Sequence, residues 1–195
     1  MTSQVKRLAI RAIRAAILPS LSAFGGTCLW HTHVGTVVLQ RLLKGHSTKV
    51  QWGVGGVSVP LLRLVPPTLG SRDLGCSREK ATLLGGAFHS WIILIDWPRV
   101  QVVDLALDMF RHRGDLSPLE FPLVPRYLWA DVRWGVGDDM VVCQVPWRRI
   151  NYLSYPELKD DVHAWIEMNE EPLNLMIEDA WDRLTMTARR KGVRI

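Results

Sequence analysis

The sequence predicts a single α+β domain in which helices at both ends flank an antiparallel β-sheet. Apolar residues recur with helical spacing near the beginning and the end of the chain, whereas the middle carries β-prone runs separated by turn residues. With 195 residues and 48% apolar composition, the chain can bury one substantial core. We therefore expect residues 1–195 to form one domain of the α+β class.

The first predicted helix, within residues 1–18, is basic and amphipathic. Its two sides carry the basic residues Lys6, Arg7, Arg11 and Arg14 and the apolar residues Val5, Leu8, Ala12, Ile13 and Ile17. Such a helix can contact an anionic membrane surface, but packing of its apolar face on the domain is the favoured interpretation. The net charge is +5, yet no nucleic-acid-binding signature accompanies it, so we expect no nucleic-acid partner.

A second, central helix is predicted over residues 28–44. Thr27 precedes it as a candidate cap, and Gly45 follows a basic last turn. Residues 50–59 then predict a strand or a short hairpin, and residues 60–86 form a long connection.

The remaining elements are two strand pairs and a C-terminal helical region. One hairpin is predicted from residues 88–95 and 101–107, and another pair from residues 127–134 and 140–145. Ser154 and Glu157 match a capping box at the start of the helical region. Its apolar stripe, which ends near Gly192, contains Leu175, Met176, Ala180, Trp181 and Leu184.

Three side chains that lie far apart in the sequence point to thiol chemistry. Cys28 stands in the first turn of the central helix, where unsatisfied backbone N–H groups favour a thiolate and can hold an oxyanion. His89 opens a strand and is a candidate general base, whereas Asp104 lies in an apolar strand, where a buried carboxylate needs a partner. Asp96 is a rival carboxylate that is explained more simply as a turn residue. We predict a catalytic triad of Cys28, His89 and Asp104, with simple core packing of Cys28 as the alternative.

The register of the hairpin decides whether His89 can reach Asp104. With a turn at residues 98–99, Ile93 lies opposite Asp104, and His89 is about 13 Å away at roughly 3.3 Å per residue. With a turn at residues 96–97, or with a bulge, His89 lies directly opposite Asp104. The triad is expected to require the second register.

The order of these residues resembles the papain-like cysteine-hydrolase superfamily in its transglutaminase-like branch. The resemblance covers roughly residues 22–107 and is carried by Gly25-Gly26-Thr27-Cys28-Leu29-Trp30, Ala87-Phe88-His89-Ser90-Trp91 and Val102-Val103-Asp104-Leu105. It implies a papain/transglutaminase-like α+β fold, with a central N-terminal helix packed on an antiparallel sheet and with C-terminal helices. It also implies a Cys nucleophile, a His base and an orienting Asp at Cys28, His89 and Asp104. Small residues such as Ser22 stand where the family places an oxyanion-binding Gln, so the second oxyanion donor is unassigned.

Other features bound the chemistry. Cys28, Cys76 and Cys143 lack CxxC spacing, which favours reduced thiols in a cytoplasmic setting. His31 and His33 point to different sides of a helix, so we expect no shared metal site there. We expect no cofactor and no metal, and no apolar segment approaches the roughly 20 residues needed to span a bilayer.

The sequence therefore predicts a cysteine-dependent hydrolase or acyl transferase that acts on an amide or ester in a small molecule or peptide. The alternative is a catalytically inactive module of the same fold that binds a peptide or protein partner.

Overall fold

The protein is described here by a computed structural model that covers residues 1–18, 27–60, 71–74, 88–108, 125–137, 140–145 and 150–195. Its helices in these ranges are α1 (Ser3–Ile17), α2 (Thr27–Leu42), α3 (Lys159–Met168) and α4 (Glu170–Arg190), with a 3-10 turn at Pro156–Leu158. Its strands are β1 (Lys49–Pro60), β2 (Ser71–Leu74), β3 (His89–Asp96), β4 (Arg99–Asp104), β5 (Leu128–Asp131), β6 (Arg133–Gly137), β7 (Met140–Val145) and β8 (Ile150–Ser154).

The described strands form one sheet in the order β5-β4-β3-β1-β8-β7-β6, and β2 pairs with β1. Every pairing among them is antiparallel. Only Val132 separates β5 from β6, although these strands lie at opposite ends of the order. The sheet must therefore curl strongly, and the predicted α+β class with an antiparallel sheet is confirmed.

Helix α1 packs on the domain, as the favoured interpretation of its sequence predicted. The Thr2 side chain caps the helix by accepting a hydrogen bond of 3.3 Å from the Val5 N–H. Its apolar face joins a core cluster with α2, α4 and the face of β3 that carries Ile92 and Leu94. Two of its basic side chains also contact other parts of the domain. Lys6 lies 4.8 Å from the centre of the Trp129 ring, a cation–π contact, and Arg14 forms an ion pair with Asp108.

Helix α2 lies close against β3, and Gly35 permits that approach. A Cβ atom at Gly35 would lie 2.6 Å from Ile92 Cδ1 and 3.1 Å from Leu105 Cδ1. One helical turn before Gly35, the Thr32 hydroxyl of α2 accepts a 3.0 Å hydrogen bond from the Ser90 hydroxyl of β3. These contacts bring the first turn of α2, which contains Cys28, to the beginning of β3, which is His89.

Local predictions in the sheet have mixed outcomes. Of the two alternatives for residues 50–59, the strand is confirmed, because residues 49–60 form one strand. The predicted strand at residues 127–134 is divided, because β5 pairs with β4 whereas β6 pairs with β7. Strand β8 was not predicted, and residues 60–86 lie mostly outside the described residues.

The C-terminal region also differs in detail. The predicted capping box is wrong, because Ser154 ends β8 and α3 follows a 3-10 turn with Leu158 at its N-cap position. Helix α4 follows the predicted periodicity, but its stripe is shifted, and Leu175 is 68% exposed. The side chains that α4 buries are Leu173, Met176, Ile177, Ala180, Leu184 and Ala188.

Candidate active site

Cys28 is the second residue of α2 and is 1% exposed. Its backbone N–H belongs to the first four of the helix, which have no partner within the helix. The thiol belongs to a buried apolar cluster that includes Tyr155, Leu158 and Val162 from the segment that leads into and forms α3. The predicted nucleophile is therefore at a helix N-terminus, and in this conformation it is covered.

His89 and Asp104 meet as predicted, but through a register that neither sequence alternative contained. The ladder pairs Asp96 with Arg99 and Ile92 with Val103, so the turn consists of residues 97–98. Continuing this register places Trp91 level with Asp104, and His89 stands two residues further along on the same face. Diagonal neighbours of this kind have Cα atoms about 7–8 Å apart, which a histidine and an aspartate can bridge.

The bridge is a hydrogen-bonded pair. His89 Nε2 lies 2.7 Å from Asp104 Oδ2, and both side chains are fully buried. The prediction that the pair needs directly opposed residues was wrong, because their side-chain length spans a diagonal. Asp96, the rival carboxylate, is exposed and accepts a 2.8 Å hydrogen bond from Ser47.

Two further groups hold the carboxylate. The Tyr152 hydroxyl donates to Asp104 Oδ2 over 2.9 Å, and the Ala106 N–H donates to Oδ1 over 3.1 Å. Tyr152 is fully buried on β8. Sequence reasoning missed this residue because β8 was not predicted, so nothing placed it on the face of the sheet that carries Asp104.

The electrostatics of the site favour a charged imidazole. Burial by itself would lower the pKa of His89, but the charge and hydrogen bond of Asp104, together with the neighbouring Cys28 sulfur, raise it to about 10. Cys28 acts on the ring both as a hydrogen-bond partner and as a charge. The three predicted residues are thus brought together around one imidazole ring.

Aromatic rings lie close to the site. Trp91 stacks near His89 with ring centres 6.4 Å apart, and Trp30 packs edge-on against Trp165 of α3. Trp52 and Trp165 help line a small pocket beside Leu29, the residue that follows Cys28. The pocket lies between α2 and α3, beside the segment of Tyr155, Leu158 and Val162 that covers the thiol.

Arg14 anchors the chain that follows Asp104. Its guanidinium donates to the Leu105 carbonyl over 2.6 Å and to the Arg126 carbonyl over 3.1 Å, and it forms an ion pair with Asp108. A basic residue on an amphipathic helix is usually solvated, so nothing in the sequence pattern indicated this role. The helix thus braces the turn that presents the carboxylate.

Replacing Arg14 with methionine is expected to lower the free energy of unfolding by about 1–3 kcal/mol, because two carbonyls and one carboxylate lose a charged donor. Methionine retains much of the apolar stem. Urea unfolding would measure the change, and Arg11→Met, at an exposed position on the same helix, is the control. Equal stabilities of the two variants would contradict this role for Arg14.

Among the described residues, no group of three or more His, Cys, Asp or Glu side chains is arranged to hold a metal ion. His33 is half-buried, and burial lowers its pKa.

Two residues discussed in the sequence analysis lie outside the described residues. They are Ser22, one of the small residues that stand where the resembled family has a Gln, and Cys76. Within the described ranges, every helix falls short of the length and apolarity that a bilayer crossing requires.

Comparisons with known proteins inform the fold only. No family model matches the chain, and no curated protein matches it in sequence. A crystal structure described only as a genomics target is similar in fold, with a TM-score of 0.61 and 16% sequence identity. The match covers 93% of this chain and 79% of the other. At this identity the similarity supports the α+β architecture and assigns no activity.

Proposed function

We propose that the protein is a cysteine-dependent hydrolase or acyl transferase of the papain/transglutaminase-like fold, acting on an amide or ester. The observation that carries the proposal is a single buried imidazole that binds Asp104 at 2.7 Å and also interacts with the Cys28 thiol. A thiol, an imidazole and a carboxylate joined in this order form the arrangement required for nucleophilic acyl transfer.

The chemistry begins with ionisation of the nucleophile. Asp104 occupies Nε2 of His89, so Nδ1 is the ring nitrogen assigned to proton exchange with Cys28. The thiol proton resides on the imidazole, and the thiolate attacks the carbonyl carbon of the substrate, whose π electrons move to oxygen. The Cys28 N–H at the start of α2 is one donor for that oxyanion.

The intermediate then collapses with proton return. The bond between the carbonyl carbon and the leaving nitrogen or oxygen breaks, and His89 donates a proton to the departing amine or alcohol, which leaves a thioester on Cys28. Water or an amine attacks the thioester, its proton passes to His89, and the thiolate leaves. Hydrolysis and transfer differ only in this second acceptor.

Alkylation of Cys28 by iodoacetamide tests the proposal. Wild-type protein is expected to react about 100-fold faster at pH 7 than a His89→Asn variant, in line with the usual contribution of a positioned general base. Both proteins share the covered position of Cys28, so their ratio largely cancels the cost of exposing the thiol. Peptide mass spectrometry would assign the modified cysteine, and unfolding measurements would show that both proteins remain folded.

The matched control is His33→Asn, which changes a half-buried histidine on the same helix as Cys28. It is expected to retain the wild-type rate. Equal rates for wild type and His89→Asn would contradict an activated thiol.

A binding module without catalysis is the second candidate function. The observation that favours it is the burial of Cys28 at 1% exposure within an apolar cluster. In such a module the thiol would pack as a core residue, and Cys28 would react no faster than Cys76 and Cys143. The alkylation experiment therefore distinguishes the two functions.

A further inference from the structure

The Tyr152 hydroxyl and the His89 ring donate to the same carboxylate oxygen. Asp104 Oδ2 receives Nε2 at 2.7 Å and the hydroxyl at 2.9 Å, whereas Oδ1 receives the Ala106 N–H at 3.1 Å. We propose that Tyr152 is a positioning residue for the thiol reaction: its hydroxyl keeps Asp104 an oriented carboxylate, so that the proton shared with Nε2 stays on His89. This inference rests on the proposed function and assigns a role that the triad alone leaves open.

A buried carboxyl group can also exist in its protonated, uncharged form, and the triad cannot work with Asp104 in that form. Burial favours the uncharged form of a carboxyl group unless hydrogen bonds stabilise the anion. If the shared proton moved to Oδ2, the imidazole would be neutral and no positive charge would stand beside the Cys28 thiolate. A hydroxyl that donates into Oδ2 opposes this transfer, because the oxygen then already accepts two donors.

Tyr152 is also held rigidly enough to orient its partner. The side chain is fully buried, and its ring lies 5.0 Å from the Trp91 ring, centre to centre, at an angle of 54°. On β8 it pairs with Val57 of β1, and β1 in turn pairs with β3 through Gly55 and His89. The hydroxyl thus reaches Asp104 from a strand that is separated from the catalytic hairpin by β1.

Tyr152→Phe is the informative variant, because it removes the hydroxyl and keeps the ring. The pH dependence of Cys28 alkylation is expected to shift to higher pH, and the rate at pH 7 to fall about tenfold, as expected for losing one hydrogen bond to a charged group. At high pH, where the thiol is ionised without help, the two rates are expected to converge. A variant that had merely loosened the fold would change the rate across the whole pH range.

Ile150→Val is the matched packing control. Ile150 is 1% exposed on the same face of the same strand and belongs to the same apolar cluster as Tyr152. Its truncation is expected to reduce stability and leave the pH profile of alkylation unchanged. A profile shift in Ile150→Val equal to that in Tyr152→Phe would overturn the proposal.

Nitrogen NMR of labelled histidines gives a second readout that does not require alkylation. In the wild-type protein, the His89 ring is expected to be protonated on both nitrogens at pH 7 and to keep the Nε2 proton when it becomes neutral. In Tyr152→Phe, the His89 ring is expected to become neutral at a lower pH than in the wild-type protein. A neutral wild-type ring at pH 7 with its proton on Nδ1 would overturn the role of Tyr152 even if the variant did not fold. If Cys28 alkylation slows as expected in His89→Asn but its pH profile is unchanged in Tyr152→Phe, the positioning role of Tyr152 is rejected and the proposed function stands. If His89→Asn does not change the alkylation rate, the proposed function is rejected.

Discussion

An Asp104→Ala variant is expected to lose about 3–5 kcal/mol of unfolding free energy and to alkylate at Cys28 at least about 100-fold more slowly. The stability loss follows from burial, since both His89 and Asp104 are fully buried and the substitution removes the carboxylate that pairs with the imidazole. It also leaves the Tyr152 hydroxyl and the Ala106 N–H without the oxygen atoms that accept their hydrogen bonds. The slower alkylation follows because a ring without Asp104 stabilises the thiolate less.

Urea unfolding and iodoacetamide kinetics would measure both effects. Asp96→Ala is the matched control, because it removes an exposed carboxylate at the other end of the same hairpin. We expect it to change stability little and to retain the alkylation rate. If Asp104→Ala does not fold, Asp104→Asn keeps an acceptor for the ring while removing the charge, and it should still react more slowly than wild type. Wild-type rates in both Asp104 variants would show that the carboxylate does not support the thiol.

The identities of the candidate site residues could be predicted from the sequence, whereas their contacts could not. Cys28 is marked by its place at a predicted helix start, and Asp104 by an acid within an apolar strand. Their geometry depends on a turn at residues 97–98, whereas the alternatives considered placed it one residue later or one residue earlier. Each one-residue shift of the turn moves the cross-strand partner by two residues and preserves the face, so periodicity could not distinguish them.

Residues that act through long-range contacts were beyond sequence reasoning. Tyr152 lies 48 positions from Asp104 in the chain, and Arg14 lies 91 positions from Leu105, whose carbonyl it binds. Ser154, the last residue of β8, is also the first residue of a pattern that resembles a helix cap, so the end of the strand was not recognised. The helical regions were easier to predict, because repeated apolar positions along α1 and α4 specify buried faces without reference to the rest of the chain.

The stability of the protein is expected to decrease as pH rises from about 8.5 to about 10. Burial lowers the pKa of His89, but Asp104 and Cys28 outweigh this effect and raise that pKa from 6.5 to about 10. In the proposed ion pair the second imidazole proton comes from the Cys28 thiol, so at neutral pH the folded and unfolded states hold equal numbers of protons on these two groups. Above about pH 8.5 a cysteine in an unfolded chain has released its proton, whereas the folded state keeps that proton on His89 until about pH 10, so raising the pH favours unfolding. The loss over this interval is about 2 kcal/mol.

Urea unfolding at a series of pH values from 7 to 10.5 would measure this dependence, with His89→Asn as the comparison. Other groups titrate in the same range, so the informative quantity is the difference between wild type and variant at each pH. That difference should shrink as pH rises, whereas His46→Asn, at an exposed position after α2, should retain the wild-type slope. If His89→Asn does not fold, NMR titration of His89 in the wild-type protein measures the same proton directly. Deprotonation near pH 6.5 there would mean that Asp104 and Cys28 do not hold the imidazolium, which would remove the electrostatic basis for an ionised thiol at neutral pH.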